Sequence, residues 1–124
     1  EGSDVGILAT GASVTEGLRS HDLLKAQGVS ARVLNMHSIK PIDREAIEKA
    51  ADEIGRIVTV EEHFVNGGLG GAVAEILAEK GKGRLLRLGL KDQFVMEVAP
   101  YPDILKLVGL DAESIAASAK AMVT

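Results

Sequence analysis

The sequence predicts a parallel α/β fold, and three observations support this. Short and almost continuously apolar segments alternate with segments of helical length along the 124 residues. Strands that are apolar throughout need both faces of their sheet covered, as in parallel sheets with helices on each side. The chain contains only three aromatic residues, so its core must be aliphatic and rich in alanine. Because this length is close to the usual size of a domain, we expect one domain over residues 1–124.

The first half of the chain predicts two strands, each followed by a helix. The strands are Val5–Thr10 and Ala31–Asn35. Ser13 and Glu16 have the spacing of a capping box, which predicts a helix from Ser13 to Gln27 with Gly28 as its stop. Its expected inner face is Leu18, His21 and Leu24. After the turn at Pro41, Asp43 caps a second helix, whose expected face is Ala46, Ile47, Ala50, Ala51 and Ile54.

The second half repeats this alternation. The predicted strands are Ile57–Val60 and Leu85–Leu90. A helix with Ala72, Val73, Ile76 and Leu77 on its inner face runs through Lys80 until Gly81 and Gly83 break it. Pro102–Val108 predicts a short helix closed by Gly109. Asp111 caps the last helix, which buries Ile115, Ala119, Met122 and Val123.

Polar and glycine residues collect where the predicted strands end. The densest group, Glu61–Gly71, follows the third strand. Ligands of open parallel sheets bind beyond the carboxyl ends of the strands, which makes this group the first candidate site. The glycines of this group allow two interpretations. Either they let backbone N–H groups at a helix start bind an anion, or they form a tight turn with close helix–sheet contact. The second is favoured, because neither a Walker lysine nor a dinucleotide fingerprint is present.

Two roles are open for Glu61, Glu62 and His63: acid–base chemistry or a structural function. Consecutive strand residues point to opposite faces, so these three side chains converge only if the strand has ended. We expect a structural or interface role and no catalytic residue. His37 and His63 lack the spacing of a metal site, so no metal ligands are expected either. Asp92 and Phe94 are expected to shape a turn and anchor a loop.

Composition excludes several function classes. The absence of cysteine rules out disulfides, cysteine catalysis and thiolate zinc sites. The net charge is −4 with scattered basic residues, so we expect no nucleic-acid partner. No apolar run reaches the ~20 residues of a membrane span, and no signal-like segment is visible, so a cytoplasmic location is expected. The start at Glu1–Asp4 leads almost directly into a strand, which indicates a domain of a longer polypeptide.

Five segments, in order and spacing, resemble one family. They are Val5–Gly11, Asn35–Asp43, Val60–His63 with Gly67–Gly70, Gly89–Phe94 and Gly109–Asp111. The chain is identified as a member of the transketolase C-terminal domain family, shared with deoxyxylulose-phosphate synthase and the β subunit of pyruvate-dehydrogenase-type E1 enzymes. The chain departs from the family at His37, where proline is usual, at Gly71, where serine or another small residue is common, and at Lys91, where proline is frequent.

The resemblance implies a three-layer α/β/α sandwich with a Rossmann-like, mainly parallel sheet. We expect strand order 2-1-3-4, with the family's antiparallel edge strand missing or truncated. The switch point then lies between strands one and three, which brings Gly11 and Ser13 beside the third strand's end. The candidate crevice or interface residues are Gly11, Ser13, Glu61, Glu62, His63, Gly67, Gly68 and Gly70.

The resemblance also implies a supporting role. In the family, thiamine diphosphate and a divalent metal (Mg) lie between pyrimidine-binding and diphosphate-binding domains, and the intact enzyme is a homodimer. We therefore expect a packing and dimer-supporting domain of a transketolase, which binds no cofactor and is inactive in isolation. Two alternatives are an effector module that binds a small anion in the strand-end crevice, and an E1 β-subunit domain that docks a multienzyme-complex partner.

Overall fold

Residues 2–91 and 99–124 are described by a computed structural model of the chain. Asp92 and Phe94, predicted to shape a loop, lie outside these residues. The elements in chain order are β1 (Val5–Ala9), α1 (Ser13–Ala26), β2 (Ala31–Asn35), α2 (Arg44–Glu53), β3 (Arg56–Phe64), α3 (Leu69–Lys80), β4 (Arg84–Leu90), α4 (Tyr101–Val108) and α5 (Ala112–Val123).

The four strands form one sheet in the order β2-β1-β3-β4, and every strand pair is parallel. Ile7 in the central strand β1 lies opposite Val33 of β2 and Val58 of β3. The predicted order and orientation are confirmed. The family's antiparallel edge strand is not among the strands of residues 2–91 and 99–124.

Helices cover both faces of the sheet, as strands apolar on both faces require. One apolar cluster joins the sheet to α1, α4 and α5, and includes Ile7, Leu24, Val58, Leu105 and Ile115. The other joins the opposite face to α2 and α3, and includes Leu8, Ile47, Ile57, Val73 and Leu77. The expected three-layer sandwich is therefore present.

Several predicted helix ends are confirmed. Gly81 and Gly109 follow α3 and α4 in the left-handed conformation, with φ of 71° and 76°. This conformation suits glycine because no Cβ opposes it. The Asp43 carboxylate accepts a hydrogen bond of 3.1 Å from the backbone N–H of Ala46 at the start of α2.

Helix α1 departs from its prediction in two ways. It begins after Ala12 without a side-chain cap, so the predicted capping box is wrong. Its buried residues are Ser13, Gly17, Ser20 and Leu24, whereas Leu18 is 54% exposed. The reason is close packing: a Cβ on Gly17 would lie 3.5 Å from Ala9 Cβ, so small residues face the sheet. His21 is partly buried, as expected.

Strand β3 is longer than predicted. It continues to Phe64, although β1 ends at Ala9 opposite Val60. The extension is possible because β4 also continues, with Phe64 opposite Leu90 after a register irregularity. Residues 61–64 and 89–90 therefore project past the last β1–β3 pair as two strands, which we call the β3–β4 ribbon. The ribbon contains much of the candidate site.

Candidate functional site

Glu61 is the best-defined residue of the candidate site. Its side chain is buried, with the residue only 1% exposed. Its two carboxylate oxygens accept hydrogen bonds of 2.8 Å from the backbone N–H groups of Leu69 and Gly70. These N–H groups are the unpaired donors of the first turn of α3, where the helix dipole favours negative charge. The Glu61 carboxylate thus occupies the anion-binding position at the start of α3 that a ligand would otherwise take.

The glycines make room for this contact. A Cβ on Gly68 would overlap the Glu61 carboxylate and lie 2.9 Å from its Cδ. A Cβ on Gly70 would lie 2.9 Å from Cγ and Cδ of Arg87 on β4. Helix α3 begins at Leu69, so Gly70 belongs to its first turn, earlier than predicted. Gly68 and Gly70 therefore permit close contact between helix and sheet. Gly67 forms the turn before them, with φ of 82°.

Glu62 points away from Glu61, as alternation along a continuing strand predicts. It is exposed and accepts a hydrogen bond from the Tyr101 hydroxyl at the start of α4. This bond raises the pKa of Tyr101 to about 12, because ionisation would place a phenolate against the carboxylate. Adjacent carboxylates on β3 therefore bind helices on opposite faces of the sheet, and the two do not converge.

His63 and Phe64 end the ribbon and are exposed. Their rings form an edge-to-face pair with centroids 6.0 Å apart. His63 Nδ1 lies 3.2 Å from the Phe64 carbonyl oxygen, a local contact within the ribbon. The Phe64 residue is 44% exposed, which is high for a ring of this size. These two residues therefore form a surface and not an enclosed pocket.

The turn after β1 is the other half of the predicted crevice. The Thr10 N–H donates to the Val60 carbonyl over 3.3 Å, so Gly11 and Glu61 follow adjacent strand ends. Gly11 is exposed with φ of 60°, whereas Ser13 is 2% exposed at the start of α1. Within the described ranges, no hydrogen bond links Gly11–Ser13 to Glu61–His63. The fold makes the two segments neighbours without joining them.

Two side-chain contacts, made by Glu16 and Tyr101, were not predicted from the sequence. The Glu16 carboxylate accepts a 2.8 Å hydrogen bond from the backbone N–H of Ala112, the first residue of α5. Asp111 occupies the predicted N-cap position of α5 but makes no capping bond. Tyr101 was likewise unassigned. Neither contact has a local sequence signal, because the partners are far apart in the chain.

No group of three or more His, Asp or Glu side chains in ranges 2–91 and 99–124 is placed to bind a metal ion. In the same ranges, none of the helices has the length and apolar character that crossing a bilayer requires. Since both Glu61 oxygens are engaged by N–H groups, that carboxylate serves to fix α3 against β3.

Comparisons with known proteins agree on one family. Residues 1–115 match the family described as "Transketolase, C-terminal domain". A 6-deoxy-6-sulfo-D-fructose transketolase subunit of Clostridium sp. is 44% identical over 119 residues, which are 96% of this chain and 37% of that protein. The 1-deoxy-D-xylulose-5-phosphate synthase 1 of Geobacter sulfurreducens is 43% identical over 98% of this chain and 19% of its own length.

The fold has a close match among solved structures. A structure described as a split gene transketolase, an inactive beta4 tetramer, superposes with a TM-score of 0.92 and 39% identity. The match covers 99% of this chain and 40% of that chain. The chain thus spans well under half the length of the relatives it matches.

Proposed function

Because this chain belongs to the transketolase C-terminal domain family, we propose that it serves a thiamine diphosphate-dependent transketolase as a non-catalytic domain. Residues 1–124 act as one domain of that enzyme. The intact enzyme transfers ketol groups between sugar phosphates as a cytoplasmic homodimer. The chain contributes domain packing and dimer support, and companion pyrimidine-binding and diphosphate-binding domains or subunits complete the active site.

The occupied start of α3 is the observation that carries this proposal. The glycine-rich segment would be the natural place for a phosphate, but the Glu61 carboxylate already binds the N–H groups of Leu69 and Gly70. A diphosphate there would have to displace a buried carboxylate, whose charge is also negative. The segment is therefore suited to holding a helix against the sheet.

The described residues also do not fit the family's cofactor. Thiamine diphosphate needs a divalent metal and its ligands, and residues 2–91 and 99–124 offer no cluster of three His, Asp or Glu side chains. The candidate carboxylates Glu61 and Glu62 bind α3 and α4 instead. This supports the assignment of thiamine diphosphate and Mg to the companion domains.

The chain covers only part of each relative, which favours an enzyme that contains further domains or subunits. The sulfofructose transketolase relative is named as a subunit, and this chain matches 37% of it. The relatives are named as transketolases and a deoxyxylulose-phosphate synthase, which favours these enzymes over an E1 β subunit that docks a multienzyme partner.

Reconstitution tests the proposal. Ketol transfer from a ketose phosphate to an aldose phosphate is measured for the chain alone, for the companion polypeptides alone, and for the assembled enzyme, each with thiamine diphosphate and Mg²⁺. We expect turnover only in the assembled enzyme. Turnover by the chain alone would contradict a supporting role, and no turnover by any assembly would contradict the transketolase assignment.

One observation, at the start of α1, supports the alternative that the domain binds a small anionic effector. No side chain caps this helix, and the buried Ser13 hydroxyl has no hydrogen-bond partner among the described residues. A small anion beside Gly11 would meet the positive end of the helix dipole. Calorimetry with inorganic phosphate and sugar phosphates tests this candidate. Absence of heat at millimolar ligand would contradict it.

A further inference from the structure

We propose that Glu62, His63, Phe64 and Tyr101, here called the ribbon face, form the surface on which a companion domain of the same enzyme packs. The inference rests on the proposed function and names the surface that serves it. The companion would offer an apolar socket for the Phe64 ring, with a basic side chain near Glu62.

The β3–β4 ribbon projects beyond the central strand of the sheet. β3 continues from Glu61 to Phe64 beyond the end of β1, and only β4 pairs with this part in the described residues. The hydrogen bonds from α3 to Glu61 anchor the base of the ribbon inside the domain. A projecting strand end that is firmly held can present side chains in a fixed geometry, which lowers the entropic cost of binding.

The ribbon face exposes two aromatic rings. Phe64 is 44% and Tyr101 is 54% exposed, although both carry large rings. Their polar neighbours already have partners: the Tyr101 hydroxyl donates to Glu62, and His63 Nδ1 lies against the Phe64 carbonyl. The Tyr101 hydroxyl would therefore keep its acceptor when the two rings are covered, and a partner would have to match the charge of Glu62.

Glu62 gives the ribbon face a negative charge. No lysine, arginine or histidine of the described ranges forms a salt bridge with Glu62. Its carboxylate remains a negative charge beside an apolar surface. A cation on the partner would be complementary at this rim, where charges set orientation more than affinity.

The size of the ribbon face identifies a companion domain as its occupant. Stable association of separate molecules buries about 1,600 Å² in total, far more than two partly exposed rings supply. A companion on the same chain or in the same subunit is held at a high effective concentration, so a small contact is sufficient. In the two relatives matched over 37% and 40% of their lengths, most of the chain lies outside the shared segment.

Hydroxyl-radical footprinting tests the ribbon face. Oxidation rates of Phe64 and Tyr101 are compared between this chain alone and the intact enzyme that contains it, with peptides resolved by mass spectrometry. We expect both rings to react at least about fivefold more slowly in the intact enzyme, because an interface excludes water from its centre. Equal rates in the two samples would overturn the proposal.

Matched variants sharpen the test. Phe64→Ser removes the proposed anchor, and Leu18→Ser makes a similar change at a residue of α1 that is 54% exposed. We expect Phe64→Ser to return Tyr101 oxidation in the intact enzyme to the rate of the isolated chain, and Leu18→Ser to leave protection unchanged. The same loss in both variants would contradict a specific anchor.

Two outcomes separate this inference from its alternatives. Protection that rises with concentration in the isolated chain would identify a second copy as the occupant and overturn the proposal. Protection in an intact enzyme that lacks ketol transfer would leave the ribbon face supported and contradict the proposed function. The footprint requires no activity, so the two ideas fail separately.

Discussion

Glu16 accepts a 2.8 Å hydrogen bond from the backbone N–H of Ala112, although 96 residues separate the two. A side chain in the first turn of α1 thereby satisfies a donor at the start of α5. The contact ties together two helices that lie on the same face of the sheet. It supplies α5 with an acceptor that the predicted cap, Asp111, does not provide, whereas the start of α1 has no side-chain cap.

We predict that Glu16→Ala lowers the free energy of unfolding by about 1 kcal/mol, the usual cost of losing a helix cap. Glu16→Gln retains an acceptor and is expected to keep most of that stability. The matched control is Glu113→Ala, which removes a carboxylate that is 66% exposed in the first turn of α5. Urea unfolding measures all three, and equal losses for Glu16→Ala and Glu113→Ala would contradict the cross-helix cap.

Glu61 is predicted to be a stability residue. Glu61→Gln keeps the side chain's size but leaves an amide NH₂ facing one of the two N–H groups of α3. Unfolding should become easier by about 1–3 kcal/mol, the cost of an unsatisfied buried polar group. Glu62→Gln, on the exposed side of the same strand, is the control and should change stability little. If the two variants unfold at the same urea concentration, the role assigned to Glu61 is wrong.

Gly68→Ala is expected to destabilise the domain because its new methyl group would meet the Glu61 carboxylate. Overpacking of this kind costs about 1–3 kcal/mol. Gly71→Ala is the control, since a Cβ there would meet nothing within 4 Å. That substitution, in the first turn of α3, should be neutral or stabilising by up to about 1 kcal/mol. Thermal unfolding of both variants distinguishes them, and a similar loss would contradict the close contact.

The single tyrosine permits a direct test of the Tyr101–Glu62 bond. The chain has no tryptophan, so absorbance near 295 nm reports Tyr101 ionisation alone. We expect a pKa of about 12 in the native chain and a value closer to 10.0 in Glu62→Gln. Asp103→Asn, which changes a carboxylate on the same helix, should leave the titration in place. An unchanged pKa in Glu62→Gln would rule out the assigned cause.

The raised pKa of Tyr101 makes the stability of the domain depend on pH. The pKa of Tyr101 is raised on folding, so the folded state favours the neutral phenol. Its contribution to stability is complete below the unfolded pKa near 10 and is lost as pH rises through about 12. Native and Glu62→Gln chains should therefore show different losses of stability between these two values. Parallel loss in both chains would contradict this linkage.

Elements whose patterns are local were predictable from the sequence. The caps at Asp43, Gly81 and Gly109 depend on residues within one turn of the helix end, and all three are confirmed. The apolar strands predicted a sheet covered on both faces, and the parallel order β2-β1-β3-β4 is as expected. The predicted strand ended at Val60, so the divergence of Glu61 and Glu62 follows from the continuation of β3 to Phe64 in the structure.

Features that depend on distant neighbours were not predictable. The length of β3 depends on how far β4 accompanies it, and the inner face of α1 depends on how closely Ala9 approaches Gly17. A capping motif at Ser13 and Glu16 was plausible locally, but a better-placed donor on α5 engages Glu16.

The sequence by itself determined the fold class, the strand order through family resemblance, and the position of the polar segment at the end of β3. Tertiary structure decided what that segment does. Only the packing of α3 against β3 shows that the glycines serve the Glu61 carboxylate, because a donor and an acceptor eight residues apart meet only when helix and strand are in contact. The three-layer arrangement likewise decided which helices contact Glu16 and Glu62. Local sequence preferences do not encode that arrangement.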